Sequence, residues 1–242
     1  MSGHSKWSQI KHKKAASDAK RGQLFSKLIR EITVAAQQGG PNPDANHRLR
    51  AAMERARDGG LAKDNIARAL ERASGRGAET ELSEFLYEAA SPGRVAILIE
   101  GITDNKNRTH AELKHLLAEH GGRLAEQGSL VWNFEKVGLI ECRREHNPTK
   151  AAEEIELAII DSGARDFRHA DRQWLIETEF SSRDAVRTQL ERRGIALASA
   201  AHDYKPRVRL EIAPAELEKI ELLLDALVAH DDVQEVYTNL QD

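Results

Sequence analysis

Between residues 138 and 205 the sequence runs through one complete order of strand and helix patterns, βαββαβ, and no other stretch closes such a unit by itself. Apolar residues at strand spacing mark 138–144, 164–169, 173–180 and 198–205, while helical spacing marks 149–162 and 183–193. This is the ferredoxin-like plan, a four-stranded antiparallel sheet with two helices on one face. Trp174, Ile176, Thr178 and Phe180 alternate onto one side of their strand and Glu177 and Glu179 onto the other, as a half-covered sheet requires. The remainder, a strand over 207–212, a helix over 214–230 and a strand over 233–239, is only half a unit. Its other half lies upstream: strands over 85–90 and 94–102, a polar turn over 103–109, a helix bearing Leu113, Leu116 and Leu117, and a strand over 130–134 whose Trp132 and Phe134 read as core. The pattern therefore predicts an α+β protein with two ferredoxin-like domains, the third (135–205) inserted in the second (80–134 plus 206–242).

Ahead of these lies a helical N-terminal domain over 1–79. Leu24, Phe25, Leu28, Ile29, Ile32 and Ala36 recur at spacings of three and four, and Gly39-Gly40-Pro41-Asn42-Pro43 stops that helix. Asp44 reads as the N-cap of a second helix through Leu49, Met53 and Ala56, ending at Gly59-Gly60. A third opens at Lys63 or Asp64 and carries Ile66, Leu70 and Ala73. Few of these side chains are bulky, so this domain is expected to be the least stable part.

Charge separates along the same boundary. Over residues 1–76, 16 Lys and Arg stand against 7 Asp and Glu, a local charge of +9, and the rest carries 20 against 32, or −12. The formal total of −3 hides a cationic head on an anionic body, which points to a polyanionic partner met by one end only. Lys6, Lys11, His12, Lys13, Lys14, Lys20, Arg21, Lys27 and Arg30 cluster near Trp7, an aromatic able to stack on a base, and together they form the candidate nucleic-acid-binding set. Six to eight phosphate contacts would cost about a thousandfold or more in affinity between roughly 50 and 200 mM salt.

Other functions find little support. There is no G-x-x-x-x-G-K-[ST], G-x-G-x-x-G or H-E-x-x-H, so no catalytic residue, metal site, cofactor or small-molecule substrate is expected. His110, His115 and His120 recur every five residues, about 140° apart on a helix, and share no face. No KH-type G-x-x-G occurs, and the Gly-Gly-Pro connection between the first two helices is longer than a helix-turn-helix turn. Backbone or shape recognition is therefore favoured over base reading. The longest apolar run, 95–99, is a strand's length, so no membrane is expected as a partner. The single Cys142 excludes an intramolecular disulfide, and a reducing, cytoplasmic setting follows as the default.

The ordered motifs Gly3-His4-Ser5-Lys6-Trp7, Ile10-Lys11-His12-Lys13-Lys14-Ala15-Ala16, Asp18-Ala19-Lys20-Arg21-Gly22, Lys27-Leu28-Ile29-Arg30-Glu31-Ile32, Lys63-Asp64-Asn65-Ile66 and Thr103-Asp104-Asn105-Lys106-Asn107-Arg108-Thr109 resemble the YebC/PmpR family. Gly101 stands where that family often has Cys. The resemblance implies three domains and a role in gene expression. Bacterial members are usually labelled DNA-binding transcriptional regulators, a mitochondrial relative is a translational activator, and others resemble factors acting on the ribosome. The expectation is thus a non-enzymatic regulator whose partner is DNA or, alternatively, ribosomal RNA.

Overall fold

The computed structural model describes residues 18–74, 81–170 and 172–241. Three helices open it: α1 (Asp18–Gly39), α2 (His47–Asp58) and α3 (Lys63–Ser74). Their common core holds Leu28, Ile32, Leu49, Leu61 and Ile66, and the other half of its buried residues are alanines. Alanine lets helices approach closely but removes little apolar surface from water, so this cluster supplies modest hydrophobic stabilisation.

The cap of α2 differs from expectation. Asn46, not Asp44, is the N-cap, accepting the Leu49 N–H at 3.0 Å while its amide donates to the Ala35 and Gly40 carbonyls. Asn can accept and donate at once, whereas an Asp there could only accept. Gly39 leaves room for it, since a Cβ at Gly39 would stand 2.5 Å from the Asn46 amide nitrogen.

The first sheet is built from β1 (Ser83–Ala90), β2 (Ala96–Thr103), the two-residue β3 (Arg123–Leu124) and β8 (Val233–Thr238), in the order β3-β1-β2-β8. Helices α4 (Lys106–Glu119) and α7 (Pro214–Ala229) supply Leu113, Leu117, Leu223, Leu224 and Leu227 to a core with Phe85, Ile97 and Ile99. This sheet has the layers of a ferredoxin-like domain, but its chain path starts with the β1–β2 hairpin. Two expected strands do not form. Residues 131–133 make a 3-10 turn, and β4 begins only at Phe134. The stretch 207–212 makes a single bridge, Leu210 to Leu240; the apolar spacing that suggested a strand reflects Leu210 and Ile212 packing on the core.

The second sheet has the order β5-β6-β4-β7, from β4 (Phe134–Arg143), β5 (Asp166–Ala170), β6 (Gln173–Glu179) and β7 (Ser199–Pro206), with α5 (Ala152–Asp161) and α6 (Arg183–Arg192) between them. Chain order and strand order together give the ferredoxin-like topology. Ile140, Cys142, Trp174 and Ile176 point to the helices and are fully buried. Burial, with Glu141 beside it, pushes the Cys142 thiol up to about 11, so it stays a protonated packing group. The chain separates into two compact units, one of residues up to Phe134 and from Pro206 onward, the other of Glu135–Lys205.

Candidate nucleic-acid interface

Helix α1 has two working faces. Phe25, Leu28, Ile29, Ile32 and Ala36 face the helical core, and a second stripe, Gln23, Lys27, Arg30 and Gln38, meets the first sheet's domain. The stripe's spacings of four, three and eight residues keep it on one side of a 3.6-residue helix. Lys27 is buried and donates from Nζ to the Val228 carbonyl at 2.6 Å, and Gln23 reaches the Ala229 carbonyl. These are terminal carbonyls of α7, which has no basic residue in its own last turn. Lys27 thus supplies from far along the chain the cation that a helix C-terminus attracts.

Arg30 donates to the Asp231 carbonyl and lies 3.0 Å from Asp232 Oδ1. The Asp232 side chain is only 3% exposed. Its Oδ2 accepts from Thr109 Oγ1 at 2.6 Å, Arg108 Nη2 at 3.0 Å and Thr103 Oγ1 at 3.1 Å. Burial alone would raise this carboxyl, but the Thr109, Arg108, Arg30 and Thr103 donors outweigh burial and hold it below its ordinary value. The polar 103–109 turn therefore serves as a carboxylate cradle and a helix start, Asn105 capping α4 through the Arg108 N–H. Gly101 belongs to the same construction. A Cβ there would lie 2.2 Å from the Asp232 carbonyl oxygen and 2.3 Å from Phe85, which explains glycine at this register shift between β2 and β8.

Further cations of the helical domain divide into two groups. Arg48 pairs with Glu84 of β1 and Arg55 with Glu31, while Arg50 donates to the Pro43 and Asp44 carbonyls. Arg21, Arg57, Lys63 and Arg68 are exposed and have no ion-pair partner among the described residues. The turn joining α2 to α3 is four residues long, Gly59 to Ala62, with Gly60 at φ +81°. That is the length and composition of a helix-turn-helix turn, which the longer α1–α2 connection is not.

Of the ten residues singled out from sequence, Lys6, Trp7, Lys11, His12, Lys13 and Lys14 lie outside the described residues. Lys20 and Arg21 fall in the first turn of α1 and Arg21 is exposed, whereas Lys27 and Arg30 have the intramolecular partners just given. Sequence reasoning missed Trp132, which is 66% exposed rather than core. Its loop is held by Glu88, a buried carboxylate on β1 that accepts the N–H groups of Gly128, Leu130 and Val131. A lone acid in the apolar run of 85–90 was the available signal.

Among the described residues no group of three or more His, Cys, Asp or Glu could hold a metal, and no helix is long and apolar enough to cross a membrane. A basic helical domain joined to two α+β sheets is the class of protein this architecture defines. Two family models match it, the TACO1/YebC protein N-terminal domain over residues 5–76 and the TACO1/YebC second and third domain over 82–240. The chain belongs to the TACO1/YebC family. Relatives named "Probable transcriptional regulatory protein" share 44% identity with it in Pseudothermotoga lettingae, over 100% of this chain and 94% of that one. In Thermomicrobium roseum the figures are 46%, 99% and 96%. The crystal structure of a conserved hypothetical protein from Aquifex aeolicus superposes with a TM-score of 0.84 at 39% identity, covering 98% of this chain and 97% of that one.

Proposed function

We propose that this protein is a non-enzymatic, nucleic-acid-binding regulator of gene expression that grips a polyanion through the basic start of its helical domain. The observation that carries the reading is the charge division, +9 over residues 1–76 against −12 over the rest. Lys6, Lys11, His12, Lys13, Lys14, Lys20 and Arg21 contact phosphates and Trp7 stacks or covers a sugar, while Lys27 and Arg30 hold the helix that continues from them. The acidic body repels the same polyanion and so sets which end approaches it. The relatives' names support a role in transcription, for which the ligand would be duplex DNA; the four-residue turn before α3, whose exposed Arg68 and Arg72 share a face, is consistent with that ligand.

A second reading, a translation factor on ribosomal RNA, is favoured by the exposed Trp132, because unpaired RNA bases are bound by stacking on aromatic rings. Replacing Lys11, Lys13 and Lys14 together by Glu is expected to abolish binding in a filter-binding titration while leaving the far-UV circular dichroism intact. Unchanged affinity would refute the proposed grip. Crosslinking in growing cells followed by sequencing separates the two ligands: reads at a few promoters support DNA, and reads in ribosomal RNA support the second reading.

A further inference from the structure

We infer that Trp132 is a preorganised stacking platform for an unpaired base of RNA, a second contact that rests on the nucleic-acid reading above. The residue stands in a 3-10 turn (Val131–Asn133) with 66% of its surface exposed, against 43% for Phe180. Its indole N–H already donates to the Ser129 carbonyl at 2.7 Å. The one polar atom of the side chain is thus satisfied within the loop, and what remains to offer a partner is the ring.

The loop beneath it is fixed. Glu88 is 4% exposed, and its carboxylate takes the N–H groups of Gly128, Leu130 at 2.5 Å and Val131 at 2.9 Å, while its own carbonyl takes the Ala125 N–H at 2.8 Å. A buried carboxylate with three backbone donors is a strong and specific anchor. The ring is therefore already ordered before any partner arrives, which lowers the entropic cost of association.

The neighbouring backbone selects the partner. The Arg207 N–H donates to the Asn133 carbonyl at 2.7 Å, which brings the Arg207 backbone against the residue that follows Trp132. There Arg207 is exposed with no ion-pair partner among the described residues, and Val208 is 72% exposed. Arg207 is thus an exposed cation on a body of net −12. An exposed aromatic with an exposed cation one backbone hydrogen bond away suits a nucleotide, ring on ring and cation to phosphate. A duplex hides its base faces in the stack, so the ligand is an unpaired base.

The test uses the full chain and takes the difference in fluorescence between the wild type and Trp132→Ala as the signal of Trp132, Trp174 being fully buried. A short oligouridylate is expected to quench the exposed indole, and a blunt RNA duplex of equal phosphate count is not. Trp132→Ala in the otherwise natural chain should weaken oligouridylate binding roughly tenfold. Because no charge is removed, the salt slope should be unchanged. Wild-type affinity in Trp132→Ala, with binding still lost in the Lys11, Lys13 and Lys14 triple variant, would overturn the platform and leave the grip standing. No binding of oligouridylate or duplex by the wild type would overturn both. Equal loss of affinity for oligouridylate and duplex would overturn the assignment to unpaired bases, and intact RNA binding with a protein crosslinked at position 132 would make Trp132 a protein contact.

Discussion

Replacing Asp232 by Asn keeps the size of the side chain and removes the charge on which four donors converge. In the native protein Oδ2 receives Thr109, Arg108 and Thr103, and Oδ1 faces Arg30 at 3.0 Å. Stranding a partner of a buried ion pair costs about 3–5 kcal/mol. Here the arginines are 26% and 41% exposed and can be rehydrated, and the two threonine oxygens, 2.7 Å apart, can turn a proton to each other. The loss is therefore nearer that of one or two charge-assisted hydrogen bonds, about 2–3 kcal/mol. For a unit of this size it should lower the melting temperature by roughly 4–12 °C. The pH dependence has a definite sign. The folded carboxyl lies below its unfolded value of about 3.8, so its stabilisation is complete above that value and is lost as pH falls through the folded pKa. Between neutral pH and pH 3 the wild type should lose more stability than Asp232→Asn, and the two melting curves should converge in acid. Hydrogen exchange adds a local reading: peptides from α1 should exchange faster in the variant at neutral pH, because Arg30 loses its anchor. Equal melting temperatures at neutral pH, or parallel decline in acid, would refute the assignment of Asp232 as the charged centre of this junction.

Two further substitutions probe the supports of the site. Glu88→Gln leaves one acceptor oxygen for three backbone donors and should destabilise the first unit by about 2 kcal/mol, with accelerated amide exchange at 128–131 as its local sign; protection as in the wild type would mean the loop is held by other contacts. Asn46→Ala removes the α2 cap and leaves the Ala35 and Gly40 carbonyls without their donor, a loss of about 2–3 kcal/mol read as an earlier thermal transition with the second sheet's Trp174 environment unchanged in near-UV circular dichroism.

What the sequence disclosed follows the range of the forces involved. The 138–205 unit was legible because its strands alternate, its helices keep a 3.6-residue period, and glycines such as Gly163 and Gly194, both at positive φ, punctuate them. Those are local signals. The apolar run at 130–134 misled because a 3-10 turn and a strand can share a composition; the difference lies in Glu88, more than forty positions upstream, which takes the N–H groups a strand would have used for its ladder. The cradle of Asp232 joins residues more than 120 positions apart, and no periodicity reports such a pairing. The partner of Lys27 was hidden for a related reason. A lysine opposite an apolar stripe reads as solvated, yet Gln23, Lys27, Arg30 and Gln38 form a second stripe made of polar tips that seek carbonyls and carboxylates.

This second stripe alters how the charge division should be read. The sequence count treats every cation of the head as available to a polyanion, but Lys27, Arg30, Arg48 and Arg55 have carbonyl or carboxylate partners inside the chain. An anionic body next to a cationic head would attract it without preferred geometry; the discrete bonds to Val228, Asp232 and Glu84 convert that attraction into one arrangement, in which Arg30 and Arg48 are paired with carboxylates and Lys27 is buried against a helix C-terminus. The charges left facing outward among the described residues are fewer, Arg21, Arg57, Lys63 and Arg68 among them. Counterion release counts only cations that meet phosphates. The salt slope should therefore fall by about one for each of Lys11, Lys13 and Lys14 neutralised, and stay unchanged for Lys27→Met, whose effect should appear in the melting temperature instead.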